Sequence, residues 1–310
     1  MIRRALAWML GATLAALSCG CGGGAVRTTT TVAPKARPVV RDASQEELLE
    51  KYNQMALGVK SVNATVELKP IAGSKYSGVI EEYHEVKAFL LAARPADIRV
   101  IGQAPVIGTT VFDMASNGET FRVSIPSKNK FLVGPVAAER AASKPIENLR
   151  PQHLLDALLW PEIRKEETVL FEENDEAGRY YVLTVTRGGY RTEILRKIWF
   201  DRADLQVSRL ESYGPKGALL SDVHVSDWQP LLADQEHLAS AAPSGVTGFP
   251  RTISIDRPHD DYRLDLQISK VTLNEEIPAE RFQLDQPAGS ELVRVGETPG
   301  DKQPTESKPQ

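Results

Sequence analysis

The sequence predicts a mainly β protein of the α+β class, in which one large curved antiparallel sheet of about 11 to 12 strands is covered by two helices. Apolar and polar residues alternate along most of the chain between residues 62 and 273, and turn-forming residues separate the alternating runs. Helical spacing occurs in two segments, and neither connects two strands as a βαβ unit would require. Because both helices have an apolar face that needs a concave partner, a single curved sheet (a half-open β-barrel) is favoured over a sandwich.

The first helix is predicted to begin at a capping box formed by Ser44 and Glu47 and to end near Gly58. Behind this box, apolar residues recur at helical spacing on one face, and charged residues take the opposite face. The apolar face consists of Leu48, Leu49, Tyr52, Met55, Ala56 and Val59. This segment is therefore an amphipathic helix.

Alternation starts at Val62 and predicts a long strand over residues 76–93. The dipeptide Asn117-Gly118 predicts a tight hairpin between two further strands, because both residues tolerate a positive φ. In the last predicted strand, residues 262–273, the apolar residues change parity at Ser269-Lys270. Such a change indicates a β-bulge, which bends a strand.

The second helix is short and begins at Pro151, a residue type suited to the first helical turn. Its apolar face consists of Leu154, Leu155, Leu158 and Leu159. The step Trp160-Pro161 predicts its end, since proline cannot continue a helix.

The N-terminus has the composition of an export signal. Arg3 and Arg4 precede an uncharged run that ends at Ser18 and is too short to span a bilayer. We therefore predict a signal peptide over residues 1–18. The residues around Cys19 and Cys21 resemble the bacterial lipobox, whose cysteine receives a diacylglycerol anchor and acyl chains such as palmitate, and both cysteines remain candidates.

Residues 19–42 are rich in Gly, Thr and Pro without apolar periodicity, and predict a lipidated N-terminus followed by a flexible tether. Residues 287–310 are polar and predict a disordered tail. The folded domain is thus expected over residues 43–286. It contains no cysteine, which excludes a disulfide framework, and the net charge of −4 gives no reason to expect a nucleic-acid partner.

A search for catalytic residues finds no motif. The five histidines lie outside any zinc-binding spacing, and the chain has no nucleophile elbow, P-loop or dinucleotide fingerprint. The adjacent pairs Asp260-Asp261 and Glu81-Glu82 are interpreted as solvated charges, since neighbours in a turn or strand point in different directions. The sequence therefore predicts a protein that is not an enzyme and that needs no metal or cofactor.

Two segments carry more apolar residues than an open sheet requires. Residues 88–93 are apolar at both strand parities, so both faces are covered there or one meets an apolar partner. Residues 104–108 contain Val106 and Ile107 where a polar turn is expected. These two side chains either plug the core beneath a helix or form an exposed loop that contacts a membrane or acyl chain.

These features together resemble the LolA/LolB superfamily of lipoprotein carriers. The resemblance is closer to LolB, which is itself a lipoprotein. Residues 99–112 are similar to a LolB strand, its Pro-aliphatic-Gly-Ser/Thr loop and the next strand. Residues 149–161 match that family's Leu-rich helix ending in an aromatic-Pro step, and residues 250–273 resemble its closing strands. The chain departs from LolB by a polar stretch at residues 234–248 and by its long C-terminal tail.

The resemblance implies a hydrophobic cavity for acyl chains with the helices as a lid. It also implies that Pro105, Val106, Ile107 and Gly108 form a membrane-inserting loop. The residues it suggests for the cavity and lid are Val66, Leu68, Phe89, Leu91, Val100, Phe112, Phe121, Leu154, Leu158 and Leu159, with inward and outward strand positions unassigned.

The function implied is that of a monomeric lipoprotein on the periplasmic face of the outer membrane. It would bind acyl chains of lipoproteins or lipids, delivered by a soluble periplasmic carrier, and act in lipoprotein localisation. Arg99 and Arg122 are either contacts for a lipid head group or solvated strand charges. A structural or regulatory envelope lipoprotein that binds a protein partner without lipid, and a periplasmic hydrolase, are the competing hypotheses.

Overall fold

A computed structural model describes residues 39–74, 79–137, 148–174, 178–189, 191–231 and 246–295. The predicted signal peptide and both candidate lipid-attachment residues, Cys19 and Cys21, lie outside this part of the chain, as does most of the predicted tether.

Helix α1 spans Gln45–Gly58 and matches the first predicted helix. The side chain of Ser44 accepts a hydrogen bond from the backbone N–H of Glu47 at 3.2 Å, as the capping box predicts. The helix ends where the N–H of Val59 donates to the carbonyl of Met55. Its buried residues are Leu48, Tyr52, Met55 and Ala56.

Helix α2 spans Pro151–Leu158, with proline in its first turn as predicted. Leu154, Leu155 and Leu158 are buried on one side of it. Trp160 follows the helix and donates its indole N–H back to the carbonyl of Ala157 at 2.9 Å. Among the described residues, neither helix is long and apolar enough to cross a membrane.

Fifteen strands form one large, curved and open sheet in the described part of the chain. Their order is β15-β7-β6-β5-β4-β3-β1-β14-β13-β12-β11-β10-β9-β8, and β2 pairs with β1. The strands are β1 (Ser61–Ser74), β2 (Val79–Glu82), β3 (Val86–Ala93), β4 (Asp97–Gln103), β5 (Thr110–Ser116), β6 (Thr120–Ile125), β7 (Lys130–Pro135), β8 (Thr168–Asn174), β9 (Tyr180–Arg187), β10 (Glu193–Asp201), β11 (Gln206–Tyr213), β12 (Leu219–Pro230), β13 (Gly248–Arg257), β14 (Tyr262–Leu273) and β15 (Glu291–Arg294). The predicted fold class is confirmed, with more strands than expected.

One extra strand arises because the long strand predicted over residues 76–93 is interrupted. Residues 83–85 leave the sheet, so that β2 and β3 each pair with a different part of β1. The interruption faces Pro70 of β1, whose carbonyl accepts a hydrogen bond from the N–H of Tyr83 at 3.0 Å. Proline has no N–H to donate, and the ladder between the strands is therefore broken at this point.

The predicted β-bulge in the last long strand is confirmed. Thr65 of β1 pairs with Lys270 of β14, and the next residue, Val66, pairs with Ile268. Ser269 is the extra residue, and its hydroxyl donates to the carbonyl of Thr65 at 3.1 Å. The bulge bends β14 and contributes to the curvature of the sheet.

The C-terminal segment differs from the tail predicted to begin at residue 287. Residues 291–294 form β15 and pair in parallel with β7, whereas the other described strand pairs are antiparallel. The N–H of Glu291 donates to the carbonyl of Asn129, and that of Val295 to the carbonyl of Val133. The unpaired backbone groups of the edge strand β7 explain this pairing.

The main core lies between the two helices and one face of the sheet, which we call the inner face. Buried residues of both helices and of strands β1, β3, β4, β9–β11, β13 and β14 belong to this core. A smaller cluster of Ala115, Phe131 and Leu284 lies on the opposite, outer face. The C-terminal segment that contributes Leu284 therefore packs across the outer face.

The last residues of the predicted tether are held against the folded domain. Arg202, in the turn after β10, donates to the carboxylate of Asp42 at 2.8 Å and to the carbonyl of Arg41 at 3.3 Å. Its own carbonyl accepts from the N–H of Arg41 at 2.8 Å. The guanidinium lies 4.5 Å from the ring centre of Tyr181 and also pairs with Glu173.

Candidate functional site

Most of the residues predicted to line an acyl cavity lie in the core beneath the helices. Six of them are at most 5% exposed: Val66, Leu68, Val100, Leu154, Leu158 and Leu159. The exposure of Val66, Val100 and Leu154 is zero, so no space of water size touches them. In this structure the side chains of the helices fill the place where the cavity was expected.

Two of the predicted cavity residues, Phe89 and Leu91, lie on the outer face, which corrects their expected place beneath the helices. In β3 the core positions are Val86, Ala88, Leu90 and Ala92, and successive side chains alternate between faces. Phe89 is 41% exposed, and the ammonium of Lys87 lies 5.6 Å from its ring centre. Because this strand is apolar at both parities, its pattern could not assign the two faces.

Phe112 and Phe121, two further residues predicted to line the cavity, are packed against other side chains. Phe112 is half-buried and packs against the main core. Its ring lies directly on Gly102 of the neighbouring strand, where a β-carbon would overlap the ring. Phe121 is 1% exposed, and the guanidinium of Arg150 stacks 4.5 Å from its ring centre.

The loop between β4 and β5 is exposed rather than packed under a helix. Val106 is fully exposed and Ile107 is 72% exposed. A tight turn fixes this arrangement, with the N–H of Gly108 donating to the carbonyl of Ala104 at 3.1 Å. Val106 has a φ of +73°, a conformation that is unfavourable for a β-branched residue. Of the two interpretations of this loop, the structure favours the exposed one, and membrane insertion remains a prediction.

A small set of polar side chains ties the helices to each other and to the sheet. Arg94, which follows β3, donates to the carbonyls of Ala56 at 2.6 Å, Val59 at 3.0 Å and Trp160 at 2.7 Å. It therefore joins the end of α1 to the segment after α2. The buried hydroxyl of Tyr52 donates to the carbonyl of Pro161 at 2.8 Å, and burial raises the pKa of this tyrosine, which keeps the donor protonated.

A buried polar group lies at the start of α2. The ring of His153 makes a short hydrogen bond to the hydroxyl of Tyr262. Burial, together with the positive charges of Arg257 and Arg150, holds the pKa of His153 well below its usual value. Arg257 forms an ion pair with Asp260 at 2.8 Å. The sequence did not predict this group, since its members come from distant segments.

An open cleft lies beside α1, on the side of the sheet formed by β11, β12 and β13. It encloses about 310 Å³ and is lined by Trp160 and Trp228 together with charged residues of α1. The two indole rings are 6.1 Å apart in an edge-to-face arrangement. No local pattern predicts this cleft, because its walls come from five separate segments of the chain. We call it the tryptophan cleft.

Arg99 and Arg122, the predicted head-group candidates, instead hold the C-terminal segment on the outer face. Arg99 makes a two-pronged contact with Asp113 at 2.8 and 3.1 Å and donates to the carbonyl of Arg281 at 3.1 Å. Arg122 donates to the carbonyl of Leu284 at 3.0 Å. Their partners therefore explain both residues without a lipid.

No group of three or more His, Cys, Asp and Glu side chains is placed to hold a metal ion in the part of the chain that the structure describes. Of the adjacent acidic pairs, Asp260 is engaged by Arg257, and Glu82 pairs with Lys69 at 2.7 Å.

Comparison with known proteins finds no matching protein-family model and no matching curated protein. Among solved structures, a LolA superfamily protein from Nitrosomonas europaea is similar with a TM-score of 0.46 and 14% identity, over 78% of this chain and 99% of that one. A domain from Vibrio parahaemolyticus, named for outer membrane lipoprotein sorting, has a TM-score of 0.42 and 13% identity, over 76% and 95% of the two chains. A DUF1329 family protein from Desulfovibrio piger has a TM-score of 0.46 and 13% identity, over 77% and 96%. At these values the likeness is partial and concerns the path of the chain.

Proposed function

We propose that this protein binds acyl chains of lipids or lipoproteins at the bacterial outer membrane and acts in their localisation or insertion. In this proposal, an acyl anchor on Cys19 or Cys21 holds the protein at the membrane. The observation that carries the proposal is the loop between β4 and β5, which presents the side chains of Val106 and Ile107 to solvent.

The exposure of Val106 and Ile107 favours contact with an apolar phase. A left-handed conformation at a residue such as Val106 costs about 1 to 2 kcal/mol. Burying a valine or isoleucine side chain contributes about 1.5 to 3 kcal/mol, which water does not supply at an exposed tip. A lipid surface or an acyl chain would supply it for both residues at once.

The inner face supplies the acyl-binding surface in this proposal. Since α1 and α2 fill that surface, an acyl chain enters when the helices move away from the sheet. Burying twelve methylene groups contributes about 10 kcal/mol at ~0.8 kcal/mol each. The movement is opposed by the hydrogen bonds of Arg94 and Tyr52, at about 1 kcal/mol each. It is also opposed by the exposure of buried helix side chains such as Leu154, at about 1.5 to 3 kcal/mol each, so the acyl chain has to replace their contacts with the sheet.

The loop is tested by replacing Val106 or Ile107 with glutamate. We expect Val106→Glu and Ile107→Glu to reduce binding to phospholipid vesicles and transfer of acylated cargo to them, while the unfolding transition is retained. Leu170→Glu, at a side chain 58% exposed on the edge strand β8, is the matched control and should bind vesicles like the parent. Unchanged binding by both loop variants would remove the membrane role of the loop.

Cargo binding is tested on the full chain carrying Cys19→Ser and Cys21→Ser, which cannot receive an anchor. We expect this variant to leave the membrane fraction and to carry lipid or lipoprotein acyl groups in native mass spectrometry. If no acyl cargo is found, and none is accepted from a soluble carrier, acyl binding is excluded.

A second candidate function is an envelope lipoprotein that binds a protein partner without lipid. The observation that favours it is the absence of water-sized space around Val66, Val100 and Leu154. The cargo experiment separates the two functions, because a partner-binding protein would be isolated free of acyl groups.

A further inference from the structure

The indole N–H groups of the tryptophan cleft are already hydrogen-bonded within the protein. The indole N–H of Trp160 donates to the carbonyl of Ala157, and that of Trp228 to the carbonyl of Val207, both at 2.9 Å. Tyr52 stacks against Trp160 at 5.8 Å with nearly parallel rings, which fixes the position of Trp160. Since Trp160 is only 3% exposed, the half-buried ring of Trp228 is the aromatic surface that suits a cation or an apolar group.

Helix α1 places both signs of charge at the same cleft. Glu47, Glu50 and Lys51 line it. Glu50 accepts a hydrogen bond from the side chain of Gln54 at 3.2 Å, which holds its carboxylate at the helix surface. In contrast, the half-buried Lys51 has no ion pair within 4.0 Å among the residues described by the structure. Burial lowers the pKa of Lys51, the negative charges of Asp204 and Glu47 act in the opposite direction, and a bound anion would add to theirs.

We propose that the tryptophan cleft binds a zwitterionic ammonium phosphate, the head-group chemistry of phosphoethanolamine and phosphocholine lipids. The ammonium group lies against Trp228 and the carboxylates of α1, where cation–π and charge interactions add. The phosphate accepts hydrogen bonds from Lys51, which charge assistance strengthens. A volume of about 310 Å³ accommodates a group of this size.

The position of the cleft connects it with the proposed acyl-binding surface. Met55 and Trp160 line the cleft and also belong to the main core. A lipid whose head group occupies the cleft would therefore have its acyl chains directed to the inner face. The inference extends the proposed function and rests on it for the source of the ligand.

The test uses the full chain with Cys19→Ser and Cys21→Ser, titrated calorimetrically with glycerophosphoethanolamine, which has the head group but no acyl chain. We expect Lys51→Met and Glu50→Gln each to weaken binding by about tenfold or more, as loss of a charge-assisted hydrogen bond does. Trp228→Leu should do the same and should abolish the accompanying change in tryptophan fluorescence. Lys60→Met, at an exposed lysine outside the cleft, is the matched control and should bind like the parent.

Inorganic phosphate alone and tetramethylammonium alone are expected to bind at least about tenfold more weakly than the zwitterion, since each uses half of the site. Vesicles of phosphatidylethanolamine, compared with vesicles of phosphatidylglycerol, distinguish a lipid head group from a free phosphoester. Binding to glycerophosphoethanolamine without preference for the vesicles assigns the site to the free compound.

The proposal is overturned if glycerophosphoethanolamine does not bind, or if it binds Lys51→Met and Glu50→Gln as tightly as the parent. Because this probe lacks acyl chains and does not involve Val106 or Ile107, these outcomes are independent of the experiments on the loop and on acyl cargo.

Discussion

The apolar face of α2 and the charged side of α1 meet the sheet in different ways. Beneath α2, the side chains of Leu154, Leu155 and Leu158 are at most 3% exposed and occupy the available space. Beside α1, the space remains open, and it is bordered by two tryptophans and three charged residues. Trp160 lies at the boundary, with Tyr52 stacked on it and Trp228 at its edge.

This difference has a chemical origin. Leucine side chains adapt to one another and leave no void, so an apolar helix face produces a closed core. Charged groups such as those of Glu47, Glu50 and Lys51 need water or a partner and cannot close the space in the same way. An apolar pattern therefore predicts which side chains are buried. A cleft that could hold a ligand forms instead where the apolar face of a helix borders polar residues.

The largest loss of stability is expected when a buried side chain beneath α2 is removed. Leu154→Ala should lower the free energy of unfolding by about 2 to 5 kcal/mol, because it removes a fully buried side chain and leaves a cavity. Urea denaturation measures this change. Leu57→Ala, at a side chain 56% exposed on α1, should change stability by less than about 0.5 kcal/mol. A loss under about 1 kcal/mol for Leu154→Ala would show that α2 is loosely packed.

Removing the link between the end of α1 and the segment after α2 should lower the free energy of unfolding by a smaller amount. Arg94→Met retains an apolar stem but removes the hydrogen bonds to Ala56, Val59 and Trp160, and should cost about 1 to 2 kcal/mol. Hydrogen exchange should become faster at the end of α1 and around Trp160. Arg164→Met, at a side chain 71% exposed, is the control. Equal exchange in both variants would mean that packing alone holds the helices.

The filled region should also respond to pH through His153. The pKa of this histidine is lowered in the folded state, so the unfolded chain takes up the proton first as the pH falls below about 6.5. Above that pH, the contribution of His153 to the free energy of unfolding is constant. Below it, His153 lowers the free energy of unfolding by up to about 1.4 kcal/mol per pH unit. We expect His153→Gln to flatten the stability curve between pH 6.5 and 5, whereas His259→Gln, at an exposed histidine, should leave the slope unchanged. If stability depends on pH in His153→Gln as steeply as in the parent, the acid sensitivity arises from other residues.

The open cleft should contribute least to stability. Lys51→Met removes a half-buried charge whose burial opposes the attraction of Asp204 and Glu47, and should change the free energy of unfolding by less than about 0.5 kcal/mol. Chemical denaturation checks this value beside the Leu154→Ala series. A loss as large as that of Leu154→Ala would mean that the cleft is part of the stabilising core.

Local sequence signals predicted the elements well. Ser44 and Glu47 cap α1, Pro151 begins α2, and the parity change at Ser269 is a bulge, because each feature depends on residues that are neighbours in the chain. The core positions of Val66 and Val100 follow from alternation in the same way. The exposed state of Val106 and Ile107 was one of two interpretations that the residue types left open.

What the sequence could not predict depends on distant residues. Phe89 faces outward because its neighbours Ala88 and Leu90 face the helices, and an all-apolar strand does not reveal that choice. The tryptophan cleft forms where Trp160 meets Trp228, which no spacing along the chain indicates. Likewise, β15 exists because β7 offers an unpaired edge, and its own sequence has the composition of a tail.

The contacts of Arg202 would have a mechanical consequence under the proposed anchoring through Cys19 or Cys21. A force that pulls on the chain ahead of residue 39 first loads the backbone hydrogen bond of Arg41 and the ion pair of Asp42, both with Arg202. Arg202 lies in the turn after β10, so the ladder of neighbouring strands shares this load. With the proposed anchor in place, tension would be taken up before Ser44, and it would not pull on α1 directly.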